Sequence, residues 1–288
     1  MKLVCVVWLL LVIAKARCWE NGWLIQEDIK FDFIMILLLG GTSDSAPLAE
    51  ALARRGYQVL VSTATETELN VGQHPAIQRR CGVLDKAAMI TLIQEKSVQA
   101  IVDATHPYAA LVRAIASDIA KQLELPYYSF VRPTSVSNSE KNCRFAPDHQ
   151  AAAQLAVTYQ RPILLTIGVK NLLPYVTSAR AVQVPLIARV LPNESSHQAC
   201  HAAGLSDENI ILARGPFSVA DNQVIIRRFN IGVLVTKDGG AAGGVPEKLE
   251  AAQTEGCEVI VVQRPALPQQ TYFSEINQLV DCLCQQIG

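Results

Sequence analysis

The sequence contains no long run of basic side chains, and its 25 Lys and Arg residues are balanced by 26 Asp and Glu residues. Proteins that bind nucleic-acid phosphates concentrate positive charge on one surface, so no nucleic-acid partner is expected. The eight cysteines include no C-x-x-C pair, and their spacing therefore predicts neither a disulfide framework nor a zinc site. Half of the residues are hydrophobic, which is typical of a globular protein with a substantial core.

Several catalytic motifs are also missing. No G-x-x-x-x-G-K-[ST] or G-x-S-x-G motif occurs, which excludes a P-loop and a nucleophile elbow. No tyrosine is followed four positions later by lysine, which disfavours the Tyr/Lys pair of short-chain dehydrogenases. His197 and His201 have a metal-capable spacing on one helix face. Because the sequence shows no third ligand beside them, we expect a surface helix there and no metal site.

From Met35 onward, short apolar runs alternate with helical patterns. This alternation predicts an α/β protein with two Rossmann-like domains, mostly parallel sheets and a cleft between them. The segment Arg132–Asp148 is polar, contains two prolines and has no hydrophobic period, so the domain boundary is expected there. The expected domains are an NADP-binding domain over residues 35–140 and a substrate-side α/β domain over residues 141–288, whose last helix is predicted at Tyr272–Gln286.

The first predicted strand, "MILLL", ends in Gly40-Gly41 and leads into a helix. Such a turn lets the backbone approach a phosphate closely, and Thr42 and Ser43 add hydroxyl donors. Ser45 stands where the dinucleotide-binding fingerprint has its third glycine. An ordinary β–α turn is the alternative interpretation, since glycine and serine are common in such turns.

The end of the second predicted strand carries the hydroxyls of Ser62, Thr63 and Thr65. Domains that prefer NAD place a carboxylate at this point, and that carboxylate would repel the 2′-phosphate of NADP. Hydroxyls therefore favour NADP, unless they serve only the packing for which β-strands select threonine.

The fourth predicted strand ends in "DATHPYA", Asp103 to Ala109. Ligands of open α/β sheets bind at the carboxyl ends of strands, which places this turn beside the glycine turn. Asp103, His106 and Tyr108 are candidates to contact the cofactor or position a substrate. A helix cap explains Thr105 and Pro107, but it explains neither the histidine nor the tyrosine.

Basic residues follow several strands of the second half. They are Lys170, Arg189, Arg214 and Lys237. Each is able to pair with a carboxylate, although a single strand-end cation is more often solvated. The glycine-rich stretch Lys237–Gly244 forms a second turn that suits an anion.

The strings "LLLGGTSDSAPLAEAL", "VDATHPYA", "ARVLP", "ARGPFS" and "VTKDGGAAGG" occur in this order and resemble the precorrin-6A reductase family of cobalamin biosynthesis. The resemblance runs from about Met35 to the C-terminus, and "DATHPYA" is its most specific element. It implies an NADPH-dependent enzyme that reduces a double bond of the precorrin-6A or cobalt-precorrin-6A macrocycle. Neighbouring enzymes of the pathway are implied as further partners.

The resemblance also implies roles for individual residues. Gly40, Gly41, Thr42 and Ser43 would form the phosphate turn, with Ser62, Thr63, Asp103 and Thr105 also on the cofactor side. Lys237, Asp238 and Gly239 match a turn on the substrate side, where Lys170, Arg189 and Arg214 would hold the carboxylate arms of the tetrapyrrole. His106, Tyr108, Lys237 and Asp238 are the catalytic candidates. We expect His106 to orient the cofactor and solvent or Lys237 to supply the proton.

Two other functions stay open at this point. One is a non-catalytic module that binds a dinucleotide or tetrapyrrole, and the other is a sugar-nucleotide oxidoreductase, already disfavoured by the missing Tyr/Lys pair. The sequence does not choose between cobalt-containing and metal-free substrates.

Residues 1–34 precede the region of resemblance. They contain a positive Lys2, an apolar run over Leu3–Ala14 and the string Ala14-Lys15-Ala16, which together resemble a signal peptide. The run is shorter than the roughly 20 residues of a membrane span, so no stable span is expected. Because Met35 directly precedes the first strand, we prefer an N-terminal extension or a misassigned start, and a cytoplasmic protein.

Overall fold

The computed structural model describes residues 33–66, 69–136, 142–240, 243–267 and 272–287. The predicted extension or signal segment over residues 1–34 therefore lies almost entirely outside the described residues. From Ile34 onward the chain forms one compact unit. None of the helices in these ranges is long and apolar enough to cross a membrane.

Two six-stranded parallel sheets organise this unit, which confirms the predicted α/β class. The first sheet has the order β12-β5-β4-β1-β2-β3. Its strands are β1 (Met35–Leu39), β2 (Gln58–Thr63), β3 (Ile77–Cys81), β4 (Val98–Asp103), β5 (Tyr127–Phe130) and β12 (Tyr272–Phe273). The second sheet has the order β6-β11-β10-β7-β8-β9. Its strands are β6 (Cys143–Ala146), β7 (Ile163–Leu165), β8 (Leu186–Val190), β9 (Ile210–Leu212), β10 (Val233–Lys237) and β11 (Glu258–Val262).

Helices connect and cover these strands. In chain order they are α1 (Ser45–Arg54), α2 (Lys86–Glu95), α3 (Ala110–Gln122), α4 (His149–Thr158), α5 (Leu173–Ala181), α6 (Glu194–Ala202), α7 (Val219–Arg228), α8 (Val245–Thr254) and α9 (Ile276–Ile287). A 3₁₀ turn, Asp207–Asn209, precedes β9. Polar caps fix several of the helix starts. For example, the Asp85 side chain accepts a hydrogen bond from the backbone N–H of Ala88 at the start of α2.

Strand β1 shows why the apolar runs of the sequence are continuous. Ile36 and Leu38 pack with helices α1 and α9 on one face of the sheet. Leu37 and Leu39 pack with α2 and α3 on the other face. Because both faces are buried, no polar alternation is left in the strand. The second sheet is covered in the same way by two further apolar clusters.

The chain passes between the two sheets more than once, which the sequence analysis did not predict. Strand β6 belongs to the second sheet but lies within the segment Arg132–Asp148, which was expected to be irregular. Strand β12 and helix α9 pack with the first sheet, although residues 141–288 were assigned to the second domain. The predicted last helix starts at Ile276 rather than Tyr272. The edge strands are short, and pairing with a neighbour defines them more than their own sequence does.

Candidate functional site

A cavity of about 480 Å³ lies along the carboxyl ends of β1, β2 and β4. It brings together six of the residues predicted for the cofactor side and the reaction. These are Gly40, Gly41, Ser62, Thr63, Thr105 and His106. Apart from Gly41 and its two chain neighbours, no atom of the described residues lies within 4 Å of the position that a Cβ on Gly41 would take, and the φ angle of Gly41 is +113°. The backbone of this turn is therefore open to a ligand that approaches closely.

Ser45 completes the glycine turn in place of a third glycine. Its side chain is fully buried, and its Oγ accepts hydrogen bonds from the backbone N–H groups of Gly41 (3.1 Å) and Thr42 (3.3 Å). The Thr42 hydroxyl donates to the carbonyl of Ala104 at 3.1 Å and so ties the turn to the end of β4. The Ser43 hydroxyl accepts from Arg132 at 2.8 Å. Thr42 and Ser43 therefore hold the turn in this structure, where the sequence had suggested contacts with a phosphate.

Two arginines that the sequence analysis overlooked lie beside the hydroxyls of β2. Arg79 lines the cavity and donates to the Thr63 hydroxyl at 3.2 Å. Arg80 donates to the Ser62 hydroxyl at 2.8 Å. Because β3 pairs with β2, both arginines lie beside the end of β2, the part of a dinucleotide-binding domain that contacts the ribose. The signal in the sequence was the pair "RR" in the string "AIQRR", Ala76 to Arg80.

The carboxylate of Asp103 is 1% exposed and surrounded by donors. Its Oδ1 accepts from the Thr105 N–H (2.9 Å) and hydroxyl (2.6 Å), and its Oδ2 accepts from Arg113 (2.9 Å) and from the Tyr127 hydroxyl (2.9 Å). Arg113 also donates to the carbonyl of Pro107. The Asp103 carboxylate therefore holds the turn 103–108 in place through these hydrogen bonds. The sequence had suggested a direct contact between Asp103 and the cofactor.

Tyr108 joins the two sheets. Its hydroxyl donates to the carbonyl of Val262 and accepts from the backbone N–H of Asp238 at 2.9 Å. Burial raises the pKa of this hydroxyl to about 12. A phenol with both hydrogen-bonding functions engaged and a raised pKa is suited to positioning rather than proton transfer.

His106 faces the opposite loop. A Cβ built on Gly239 would lie 3.6 Å from its Nε2, and its Nδ1 accepts from the Tyr108 N–H at 3.3 Å. Desolvation and the nearby positive charges of Lys237 and Arg132 lower the pKa of His106 to about 4. The imidazole is therefore neutral at pH 7, and with Nδ1 as acceptor its Nε2 carries the proton.

Lys237 and Asp238, at the end of β10, have different environments. The Lys237 Nζ lies 5.2 Å from the centre of the Tyr108 ring. Burial, followed by the positive charge of Lys170, lowers the pKa of Lys237. Asp238 accepts from the N–H groups of Ser135 and Gly240, both at 3.1 Å, and pairs with Arg264. Asp238 therefore anchors the turn that carries Gly239. Ala241 and Ala242 of the predicted turn lie outside the described residues.

Arg132 and Arg264 are further residues that the sequence analysis overlooked. Arg132 pairs with Asp44 and donates to the carbonyl of Gly239 at 3.2 Å. Arg264 donates to the carbonyls of Asp238 (2.8 Å) and Arg132 (2.6 Å). Both arginines hold the loops of one sheet against those of the other. Single arginines in irregular segments gave no signal in the sequence.

A second cavity, of about 440 Å³, opens at the carboxyl ends of β7 and β8. Arg189 lines it and is 5% exposed. Its Nη1 donates to Asn222 at 2.9 Å and its guanidinium lies 3.9 Å over the Phe217 ring, while its buried Nη2 has no hydrogen-bond partner among the described residues. A buried, unsatisfied N–H of a cation is costly, and a carboxylate in the cavity would satisfy it.

Lys248, from helix α8, lines the same cavity and is a further residue of the site that the sequence did not reveal. Its Nζ donates to the carbonyl of Gly243 at 2.7 Å. Burial and the positive charge of Arg189 lower the pKa of Lys248 to about 8. Two buried cations in one cavity favour an anionic ligand.

The predicted substrate residues Lys170 and Arg214 are both exposed at the surface. Leu191 lines this cavity as well as the one beside the glycine turn.

Comparisons with known proteins identify the family of this chain. Residues 35–284 match the model of the family described as precorrin-6x reductase CbiJ/CobK. The chain is 32% identical to a cobalt-precorrin-6A reductase of Priestia megaterium over 253 residues, covering 88% of this chain and 99% of the relative. It is also 32% identical to a precorrin-6A reductase of Rhodobacter capsulatus, covering 81% of this chain and 89% of the relative. A solved structure of the CobK precorrin-6A reductase superposes with a TM-score of 0.72 at 26% identity, covering 88% and 97% of the two chains.

Proposed function

Because the chain belongs to the precorrin-6x reductase family, we propose that it reduces a double bond of the precorrin-6A or cobalt-precorrin-6A macrocycle with NADPH in cobalamin biosynthesis. The observation that carries the proposal is the junction of the two cavities at Leu191. One cavity offers a glycine turn, hydroxyls and Arg79, and the other offers two buried cations. A dinucleotide fits the first, and the carboxylate arms of a tetrapyrrole fit the second.

The residues around the first cavity fit NADPH. The open backbone at Gly41 admits the pyrophosphate, and Ser62, Thr63 and Arg79 surround the site of the 2′-phosphate. NADPH, when bound, supplies the hydride. His106, neutral at pH 7, is placed to donate a hydrogen bond from Nε2 without adding charge beside the nicotinamide. Its orienting role was expected from the sequence and stays part of this proposal.

The second sheet supplies the substrate side. Arg189 and Lys248 would bind carboxylate arms, which fixes the ring against the cofactor cavity. The proton that balances the hydride comes from solvent or from Lys237, whose lowered pKa eases its release. Asp103, Tyr108 and Asp238 act as positioning residues because their polar atoms are engaged with the protein. The proposal includes a cytoplasmic location, since NADPH is held inside cells. It also includes contacts with neighbouring enzymes of the pathway.

The direct test mixes the full chain with NADPH and precorrin-6A, and in parallel with cobalt-precorrin-6A. We expect nicotinamide absorbance to fall in step with the loss of one substrate double bond. Both kinds of relative occur among the matches, so the ratio of the two rates identifies the physiological substrate. Binding of both ligands without oxidation of NADPH would contradict the proposal and favour a non-catalytic binding module.

Loss of the Arg79 guanidinium should change the choice of cofactor. In an Arg79→Met variant we expect affinity for NADPH to fall about 10- to 100-fold while affinity for NADH stays nearly constant. The reason is that a hydrogen bond to a charged group contributes about 1.5–3 kcal/mol. NADH has no 2′-phosphate, so its binding does not depend on this hydrogen bond. Titration of protein fluorescence with each nucleotide measures the ratio. Lys121→Met, which removes an exposed cation near the end of α3, is the control. An unchanged ratio in Arg79→Met would show that another group reads the 2′-phosphate.

Substrate affinity should depend on pH through Lys248. Lys248 is charged below its pKa of about 8 and neutral above it, so one of two cations facing the substrate is lost as pH rises from 7 to 9. We expect the KM for the tetrapyrrole to rise about tenfold over this range, with an unchanged Kd for NADPH. Lys248→Arg should keep the low KM at pH 9, and Lys248→Met should show the high KM at both pH values. The same pH profile in wild type and Lys248→Met would rule out this role.

A further inference from the structure

A group of three potential metal ligands lies away from both cavities. His197 and His201 occupy one face of α6, and Asp207 is the first residue of the 3₁₀ turn that follows. The sequence showed the two histidines at a metal-capable spacing but no third ligand. The fold supplies one, because the turn after α6 brings Asp207 back beside the helix.

The three side chains converge on a single point. His197 Nε2 lies 2.7 Å and His201 Nε2 lies 2.9 Å from the same oxygen, Asp207 Oδ1, and the two nitrogens are 3.1 Å apart. A triangle with edges of this size has room for an ion about 2.0–2.2 Å from each corner, which is the bond length of zinc to imidazole and carboxylate. When Nδ1 carries the proton of each neutral imidazole, Nε2 has a free lone pair, and with the Asp207 carboxylate oxygen the group then offers a cation three ligand atoms.

The backbone holds these ligands without help from an ion. Cys200, next to His201, is fully buried and anchors the adjacent face of α6 in the core. Asn193 caps the start of the helix, accepting from the Ser196 N–H at 2.8 Å. Gly204, with a φ angle of +95°, turns the chain directly after the helix. The side chains of His197, His201 and Asp207 are 32%, 43% and 74% exposed, which leaves a side open for water as a further ligand.

We propose that His197, His201 and Asp207 form a binding site for one first-row transition dication, with Zn²⁺ as the probe. Two imidazoles and one carboxylate suit Zn²⁺ and Co²⁺ better than they suit Mg²⁺ or Ca²⁺. Because the ion would link α6 to the turn before β9, it would stabilise the segment that follows Arg189. This inference does not depend on the proposed reaction.

The experiment uses the full chain with its accessible cysteines alkylated, because thiolates also bind Zn²⁺. Calorimetric titration should show that one Zn²⁺ binds per chain. In thermal unfolding, Zn²⁺ should raise the unfolding temperature of the protein. His201→Ala and Asp207→Asn should each weaken binding at least tenfold and abolish the rise in unfolding temperature, while Glu194→Gln on the same helix should change neither. Co²⁺ should give weak visible bands without the intense near-ultraviolet band of cobalt–thiolate coordination. All three variants concern exposed side chains, so circular dichroism should confirm that each is folded.

Two results would overturn the proposal. The first is stoichiometric Zn²⁺ binding that His201→Ala and Asp207→Asn leave unchanged, which would place the ion elsewhere. The second is an absence of binding at submillimolar Zn²⁺ in the folded, alkylated wild type, which would reduce the triad to a hydrogen-bonded surface group.

Discussion

Replacement of Asp103 by Asn should lower the free energy of unfolding by about 3–5 kcal/mol, the usual cost of breaking a buried ion pair from one side. Asp103 and Arg113 have side chains that are 0% and 3% exposed, so the guanidinium left behind would be neither paired nor hydrated. An Asn side chain also turns an N–H₂ group toward Arg113 or Thr105, where the native residue offers only acceptors. Thermal and denaturant unfolding with a common baseline measure the loss.

The matched control is Asp281→Asn. The pair of Asp281 with Arg55 also joins distant parts of the first sheet, but both side chains are about half exposed (54% and 52%). Exposed pairs contribute about 0–1 kcal/mol. If Asp103→Asn cost no more than Asp281→Asn, the turn 103–108 would not depend on the buried pair. Any effect of Asp103→Asn on activity would then have to come from direct contacts with the cofactor.

Replacement of Gly40 by Ala should weaken NADPH binding about 10- to 100-fold with a smaller effect on the rest of the fold. A Cβ at this position would lie 2.8 Å from Ser45 Oγ and 3.1 Å from Val61 Cγ1. Because Ser45 also holds the N–H groups of Gly41 and Thr42, its displacement disturbs the turn that receives the pyrophosphate. Overpacking of this kind costs about 1–3 kcal/mol. Calorimetric titration with NADPH gives the affinities.

A double-mutant cycle separates the contact with Ser45 from other effects. Ser45→Gly restores the third glycine of the dinucleotide fingerprint but removes the acceptor of the Gly41 and Thr42 N–H groups, so its own NADPH affinity is the reference for the double variant. Gly40→Ala/Ser45→Gly should bind NADPH nearly as well as Ser45→Gly, since Val61 is then the nearest neighbour of the new Cβ among the described residues. A double variant that binds about 10- to 100-fold more weakly than Ser45→Gly would show that the need for glycine at position 40 does not come from Ser45.

The sequence was sufficient to predict the strands that are buried on both faces of a sheet. Strands such as β1 and β7 are continuous apolar runs, and their apolar character and spacing predict a parallel sheet wherever they pair. It was insufficient for β6 and β12, which are four and two residues long and lie at sheet edges. Their backbone hydrogen bonds to β11 and β5 define them, and no local pattern of side chains reports a partner so far along the chain.

The same distinction applies to the candidate site. Residues on strand ends, such as Gly40, Ser62 and Thr105, line one cavity because the topology of a parallel sheet fixes where strand ends meet. Lys248 comes from a helix and Arg79 from the third strand, and only the packed structure shows that they face a cavity. The sequence singles out Asp103 and Tyr108, but it does not reveal that their polar atoms are already engaged by the protein.

During synthesis, one face of the first sheet stays only partly covered until the end of the chain has emerged. Leu48 and Leu52 of α1 belong to the same apolar cluster as Leu279 and Leu283 of α9. At about 5–20 residues per second, the ribosome needs on the order of ten seconds to go from β5 to α9. The N-terminal half therefore cannot finish folding as an independent unit while it is being made. We expect it to depend on chaperones, and the cofactor cavity to mature only once the last helix has docked.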